Sequence, residues 1–456
     1  MNNNIIRNSN DILYDSNNVL PSNVHDVIGK YMLADGFNFV LDLEKSKGTK
    51  IIDAKNGNEY LDFFTFFASS ALGMNHPKLS TEAVNNEFIN AAINKPSNSD
   101  IYTVQMAEFV ETFARLAKPD YMKHLFFISG GALAVENGLK VAFDWKVQKN
   151  YMKGKKEEKG HQVIHFKQAF HGRSGYTLSL TNTEPNKIKY FPKFNWPRII
   201  NPKVTFPIEE NLQEIIKLEN QAIQEIKSAI KNNPDDIAVI ILEPIQGEGG
   251  DNFFRKEFFE NIRQIADENE ILLMFDEVQT GFGLTGKMWA YEYYVKPDII
   301  SFGKKAQVCG IMVNDRIDDV AENCFNKSSR INSTWGANLT DMVRSKHIME
   351  IMDEENLIDN SNKKGKYLLQ NLYEIQKEFP ALINNARGLG LMCSFDLPNS
   401  KLRNDFREKC FAEKLLILGC GEKSIRFRPP LNVTKEALDE GLKIIKKVLS
   451  FLTSNN

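Results

Sequence analysis

Residues 271–280, ILLMFDEVQT, and 297–305, PDIISFGKK, decide the reading of this chain. Each contains a short apolar run that ends in charge. Unbroken aliphatic and aromatic runs of this length are the pattern of strands buried on both faces. Three similar runs lie upstream, HLFFIS (124–129), HQVIHF (161–166) and IAVIILEP (237–244), with helical segments between them. That alternation predicts an α/β fold with a large, mostly parallel sheet covered by helices on both faces. In such sheets the ligand sits outside the carboxyl ends of the strands. The residues just after each run are therefore the place to look for chemistry: Asp276, Glu277 and Gln279 after ILLMF, Glu243 after IAVIIL, Lys304 and Lys305 after DIISF.

A carboxylate and a lysine at one sheet mouth suit pyridoxal phosphate. The lysine amine condenses with the cofactor aldehyde, and the anion keeps the pyridine nitrogen protonated so that the ring accepts electrons. Lys304 and Asp276 fit these roles; each alone also reads as a surface lysine or a capping aspartate. The segment SGGALAVENGLKVAFDWK (129–146) opens a helix after Gly-Gly, so the amides of Gly130, Gly131 and Ala132 are candidates for a phosphate, with ordinary turn chemistry as the alternative. In QAFHGRSG (168–175), Phe170 is a candidate to cover the cofactor ring and Arg173 to hold a substrate carboxylate; a core aromatic and a surface ion pair are the alternatives. Arg426, or Arg428, in SIRFRPPL would reach the cleft from the C-terminal side.

Working outward, the chain has 456 residues, 42% of them hydrophobic, enough for a large core divided into two or three units. With 57 Lys plus Arg against 59 Asp plus Glu, no net field favours nucleic acid or an anionic membrane. Small metabolites and a second copy of the chain are the expected partners. Five scattered cysteines without metal spacing read as free thiols, and no segment has the length or hydropathy of a membrane span or a signal peptide. A cytoplasmic protein is expected. The Asn- and Ser-rich first twenty residues read as an arm, and KGTKIIDAKNGNEYLDFFTFF (47–67) as short strands turning at Asn56-Gly57. The expected division is residues 1–76 for the arm and part of a small domain, 77–337 for the large sheet domain, and 338–456 for a C-terminal α+β domain.

These phrases resemble the class III, fold type I, pyridoxal-phosphate aminotransferases. LLMFDEVQTGFGLTG, then PDIISFGKKAQVCG, carry the resemblance most specifically; TFFASSALGMNHP, AFHGR, LEPIQGEGG, STWGANLTDMVR and RFRPPL follow the family order. The resemblance places Lys304, rather than Lys305, at the Schiff-base position, Asp276 at the pyridinium, and Gly131 with Ala132 in the phosphate cup. It further places Phe170 on the ring, Gln279 at the ring hydroxyl, and Thr334 at the phosphate of a neighbouring subunit's cofactor, which implies a homodimer with shared active sites.

Within the family, TFFASSALGMNHP, GGALAVENGLKVAFDWK and NSTWGANLTDMVR are similar to the lysine 6-aminotransferases, implying transfer of the terminal amino group of L-lysine to 2-oxoglutarate. A 4-aminobutyrate or ornithine aminotransferase is the alternative, ahead of an aminomutase, an epimerase or a non-catalytic relative. One pocket must then accept a substrate whose carboxylate is distant from the reacting atom and another whose carboxylate adjoins it. Glu248, flanked by glycines in QGEGG, suits a switch that pairs with Arg426 in one half-reaction and releases it in the other, while Arg173 holds the far carboxylate. The glycines are read as giving that loop backbone freedom.

Overall fold

The computed structural model describes residues 19–454. Most of the Asn- and Ser-rich arm, residues 1–18, lies outside the described residues.

A seven-stranded sheet organises the molecule. It comprises β4 (Met122–Ile128), β5 (Gln162–Phe166), β6 (Arg198–Ile199), β7 (Ile237–Leu242), β8 (Leu272–Asp276), β9 (Ile299–Phe302) and β10 (Cys309–Asn314), in the order β4-β10-β9-β8-β7-β5-β6. The contacts from β6 through β9 are parallel, and β10 alone runs against its neighbours β9 and β4. All five apolar runs become strands. Sequence reading did not foresee β6 or β10: the first has two residues, and the apolar stretch of the second, in CGIMVN, follows directly on the Lys304 turn.

Side-chain alternation divides the core between the two faces of the sheet. Leu272 and Met274 of β8 pack with Val135, Leu139 and Trp145 of the helix Gly131–Met152. Leu273 and Phe275 pack on the other face with Phe258, Phe259 and Ile262 of the helix Lys256–Glu268. Asp276 continues the phase of Leu272 and Met274, so the strand's last residue falls on the side of the helix that begins at Gly131. Here the strand period fixes where the chemistry points.

Two smaller sheets flank this one. The N-terminal sheet joins β1 (Leu41–Lys47), β2 (Lys50–Asp53) and β3 (Glu59–Asp62) to β13 (Leu415–Leu416), which pairs with β3 in parallel across the length of the chain. The hairpin between β2 and β3 turns at Gly57, whose φ of +72° suits glycine. The C-terminal sheet, antiparallel throughout, orders β11 (Asn384–Leu389), β12 (Met392–Asp396), β15 (Ser424–Phe427) and β14 (Leu418–Cys420) as β11-β12-β15-β14. Arg426 lies on β15, between Ser394 and Leu418 of the neighbouring strands. Long helices Leu339–Glu354, Leu357–Glu378 and Lys435–Ser454 complete this part. Among the described residues no helix is long and apolar enough to cross a membrane.

Candidate active site

The carboxyl ends of β5, β7, β8 and β9 meet at a cavity of about 660 Å³ lined by Gly131, Ala132, Phe170, Arg173, Gln279 and Lys304, together with Asp276, Glu243 and Glu248. Residues as far apart in sequence as Phe66 and Cys309 thus line one cavity.

Asp276 is almost fully buried. One carboxylate oxygen accepts a hydrogen bond from His171 Nδ1 at 2.7 Å, and the other accepts from the Val278 amide at 3.1 Å and Ser301 Oγ at 3.3 Å. The neighbouring Glu277 points the other way and accepts from Thr280 Oγ1 and the Ala290 and Tyr291 amides, which fix the following loop. Two adjacent carboxylates thus divide into one for the pocket and one for the scaffold. His171 is fully buried, and its Nε2 has no partner among the described residues.

Lys304 and Lys305 divide similarly. Lys305 is buried away from the cavity and donates to the Ala68 carbonyl at 2.8 Å; burial pushes its pKa well down. Lys304 lines the cavity; its carbonyl accepts from the Gln307 amide at 2.7 Å, while its side-chain amine has no hydrogen bond or ion pair among the described residues. Burial lowers its pKa, partly opposed by the charge of Asp276. Its φ of +52° is left-handed, a costly conformation for a side-chain-bearing residue. The Ala68 carbonyl belongs to a second strained turn, residues 65–68, with four successive φ values of 40°, 52°, 60° and 65°. Asp62 accepts the Phe64 and Thr65 amides, and Thr65 Oγ1 donates to Arg428 O, which hold this turn against the cavity, where Phe66 and Phe67 form part of the wall.

Gly131 begins a helix of 22 residues, and no acceptor among the described residues bonds the Gly131 or Ala132 amide. The free N–H groups of a helix start favour an anion. The space is tight: a Cβ on Gly172, whose φ is +121°, would lie 2.5 Å from the Ala132 Cβ. Gln279 is anchored through its Oε1, which accepts from Arg428 Nη2 at 3.0 Å. Arg428 is otherwise committed to the buried Asp251, so of the two arginines in RFRPP it is Arg426 that turns to the substrate end.

Arg426 Nη2 donates to Glu248 Oε2 at 2.9 Å, while its Nε and Nη1 are buried without partners among the described residues. Phe67 lies under the guanidinium at 5.9 Å. Burial opposes the Glu248 charge, but Arg426 and Lys187 outweigh it and hold the carboxyl at about 2. The glycines around Glu248 serve a different purpose from the backbone freedom expected of them. A Cβ on Gly247 would stand 2.1 Å from Gln279 Oε1, and one on Gly249 would stand 2.0 Å from the Gln168 carbonyl. They permit close approach, and the loop is pinned by a bond from the Gly421 amide to the Glu248 carbonyl at 2.8 Å. Any switching by Glu248 is therefore a matter of side-chain rotation.

Arg173 lines the cavity, exposed and unpaired among the described residues. Thr334 lies outside the cavity of its own chain; it is exposed, and its carbonyl accepts from Ser97 and Ser99 hydroxyls. Sequence reading missed three contributors. His171 stood in the quoted AFHGR phrase without a role. Glu243 was noted at its strand end without one; it accepts the Phe170 and Gly247 amides and so fastens two cavity loops. Lys187 gave no signal beyond being a lysine in a loop.

A model of the family described as aminotransferase class-III matches residues 31–449. The chain belongs to the class-III aminotransferases. This class uses pyridoxal phosphate, and the cavity fits it: free helix-start amides for a phosphate, a locked buried carboxylate for a ring nitrogen, an aromatic face at Phe170 and an unpaired lysine amine. Among class-III relatives, the chain is 49% identical to the L-lysine-epsilon aminotransferase of Mycobacterium tuberculosis over 435 residues, covering 95% of this chain and 96% of that one. A solved structure of the lysine aminotransferase from M. tuberculosis in the internal aldimine form superposes with a TM-score of 0.93 at 49% identity, over 95% of this chain and all of that one. The mitochondrial 4-aminobutyrate aminotransferase of Sus scrofa is 30% identical, over 87% of this chain and 82% of that one.

Proposed function

We propose that this aminotransferase moves the terminal amino group of L-lysine to 2-oxoglutarate, forming 2-aminoadipate 6-semialdehyde, which cyclises, and L-glutamate. The observation that carries the reading is the Glu248–Arg426 pair at 2.9 Å, set beside an unpaired Arg173 in the cavity that holds Lys304. The higher identity to lysine aminotransferases than to the 4-aminobutyrate enzyme favours the same donor.

Gly131 and Ala132 would hold the phosphate of pyridoxal phosphate, Phe170 would cover the ring, Gln279 would meet its hydroxyl, and Asp276 would hold a proton at its nitrogen. When bound, the cofactor supplies an aldehyde for amine capture and a ring that stabilises negative charge at the substrate carbon. His171 orients Asp276, as a buried partner does for a catalytic group. Lys304, its pKa lowered by burial, takes a proton from the substrate's terminal carbon and returns it during transfer.

In the lysine half-reaction Glu248 neutralises Arg426, so the terminal amine approaches without meeting an unpaired guanidinium, and Arg173 binds the distant α-carboxylate. In the second half-reaction Arg426 is released to the α-carboxylate of 2-oxoglutarate, and Arg173 takes the far one. Thr334, off its own cavity, would serve the cofactor phosphate of a partner copy in a homodimer. A cytoplasmic enzyme is the reading we adopt, in keeping with a nearly balanced net charge of −2. Incubating the holoenzyme with lysine and 2-oxoglutarate tests the reading: glutamate and the cyclic imine are expected in equal amounts. Glutamate from ornithine or 4-aminobutyrate but not from lysine would replace it.

A further inference from the structure

Glu248 is held by two cations, one on each oxygen. Arg426 Nη2 lies 2.9 Å from Oε2, and Lys187 Nζ lies 2.6 Å from Oε1. The two cations come from unrelated parts of the chain. Arg426 lies on β15, and Lys187 ends the short turn Pro185–Lys187 in the loop before β6. Lys187 lines the cavity, its amine 5.4 Å over the Phe170 ring, and it is steadied from outside by Glu184 at 3.0 Å. The Lys187 and Glu248 side chains are both mostly buried, at 20% and 23% exposed.

This arrangement bears on the switch. The Glu248 backbone is pinned, so releasing Arg426 means rotating the side chain. A carboxylate that lost its only cation at a partly buried site would carry a large desolvation cost, and that cost would oppose binding of the keto acid. Because each Glu248 oxygen has its own cation, one can let go while the other remains paired. We propose that Lys187 is the resting dock of Glu248: it retains Oε1 when Oε2 leaves Arg426, so that Arg426 becomes available to the α-carboxylate of 2-oxoglutarate. Lys187 is thus a positioning residue for the second half-reaction. The proposal rests on the reading of lysine and 2-oxoglutarate as the substrate pair.

The holoenzyme and its Lys187→Met and Lys187→Arg variants test it, with KM and kcat measured for each substrate and the binding of glutarate, a dicarboxylate that cannot react, measured by calorimetry. Lys187→Met is expected to raise the KM for 2-oxoglutarate and weaken glutarate binding by about tenfold, a change the size of one lost charge pairing. The KM for lysine should move less than about twofold, since the closed Glu248–Arg426 pair serves that half-reaction. Lys187→Arg should restore both values. A lower or unchanged KM for 2-oxoglutarate would mean that Glu248 leaves both cations together, and would overturn the dock. An equal rise in the KM for lysine, or an arginine variant as impaired as the methionine one, would overturn it in favour of general packing. Failure of the substrate reading is separable: it appears in the unmodified enzyme as no glutamate from lysine, before any variant is compared.

Discussion

The cavity holds two carboxylates in opposite ways. Asp276, at the cofactor end, is locked by short donors fixed in its surroundings: an imidazole, a hydroxyl and an amide of its own turn. Glu248, at the substrate end, is held by two long cationic side chains from separate segments. Hydrogen bonds from fixed short groups give one orientation. Ion pairs with flexible partners can be exchanged for a ligand's own charges. One end is built to stay and the other to be traded, which is what a single pocket needs when it must serve two differently shaped substrates.

The sharpest way to break the contrast is at the fixed end. Lys304→Ala should lower turnover by roughly 10³-fold or more, because it removes the amine that captures the cofactor and moves the proton. Steady-state glutamate formation checks it, and near-normal turnover would shift the chemistry to another base. Lys305→Ala gives the matched control. It should leave the Ala68 carbonyl unbonded and loosen the strained 65–68 turn, so its loss should appear chiefly in thermal stability. Asp276→Asn should come next, at on the order of 10²-fold in kcat, the scale of removing one fixed charge from a preorganised site.

The fixed end was also the more legible in sequence, for a physical reason. Strand period and strand ends are local patterns, so ILLMF and DIISF bring Asp276 and the pair Lys304 and Lys305 to the sheet mouth without any knowledge of tertiary contacts, and the resemblance selects Lys304. Glu277 and Lys305, one residue further on, turn away from the cavity and take scaffold roles, Lys305 within the short turn Lys304–Ala306. The traded end depends on which loops meet. Arg426 came through only as one of two arginines able to reach the cleft, Glu248 only through the resemblance and the pairing argument built on it, and Lys187 not at all, since nothing in TNTEPNKIKYF marks which lysine the loop turns inward. His171 was readable in principle as a polar residue in the loop that follows Phe166 at the end of β5, but its role exists only relative to Asp276. β10 escaped because its antiparallel course breaks the alternation that identified the other strands.

At the traded end, Glu248→Ala should lower kcat/KM for lysine by about tenfold more than for an α-amino donor such as glutamate, because the uncovered Arg426 then faces the arriving ammonium group. Equal losses for the two donors would make Glu248 a structural residue and remove the distinction between the two ends.

The smallest expected effect concerns Glu243, which belongs to neither end but ties their loops together through the Phe170 and Gly247 amides. Burial raises its carboxyl from 4.5 to about 7; the His171 contribution opposes that shift and Asp276 adds to it. The folded protein therefore binds a proton here that the unfolded chain releases above about pH 4.5, and this group's contribution to stability declines as pH rises from 4.5 to 7 and levels off above it. The charge of the rising fraction of ionised Glu243 is felt at Asp276, so the fixed end should be most secure on the acid side of neutrality. Glu243→Gln keeps an acceptor for one amide and removes the titration. Denaturant unfolding at pH 5 and pH 7.5 should show a smaller difference between the two pH values for the variant than for the parent, by about 1 to 3 kcal/mol. An unchanged difference would mean that Glu243 is already ionised at pH 5, held by its two amides more strongly than burial opposes them, and would place it with Asp276 among the charges locked at the fixed end.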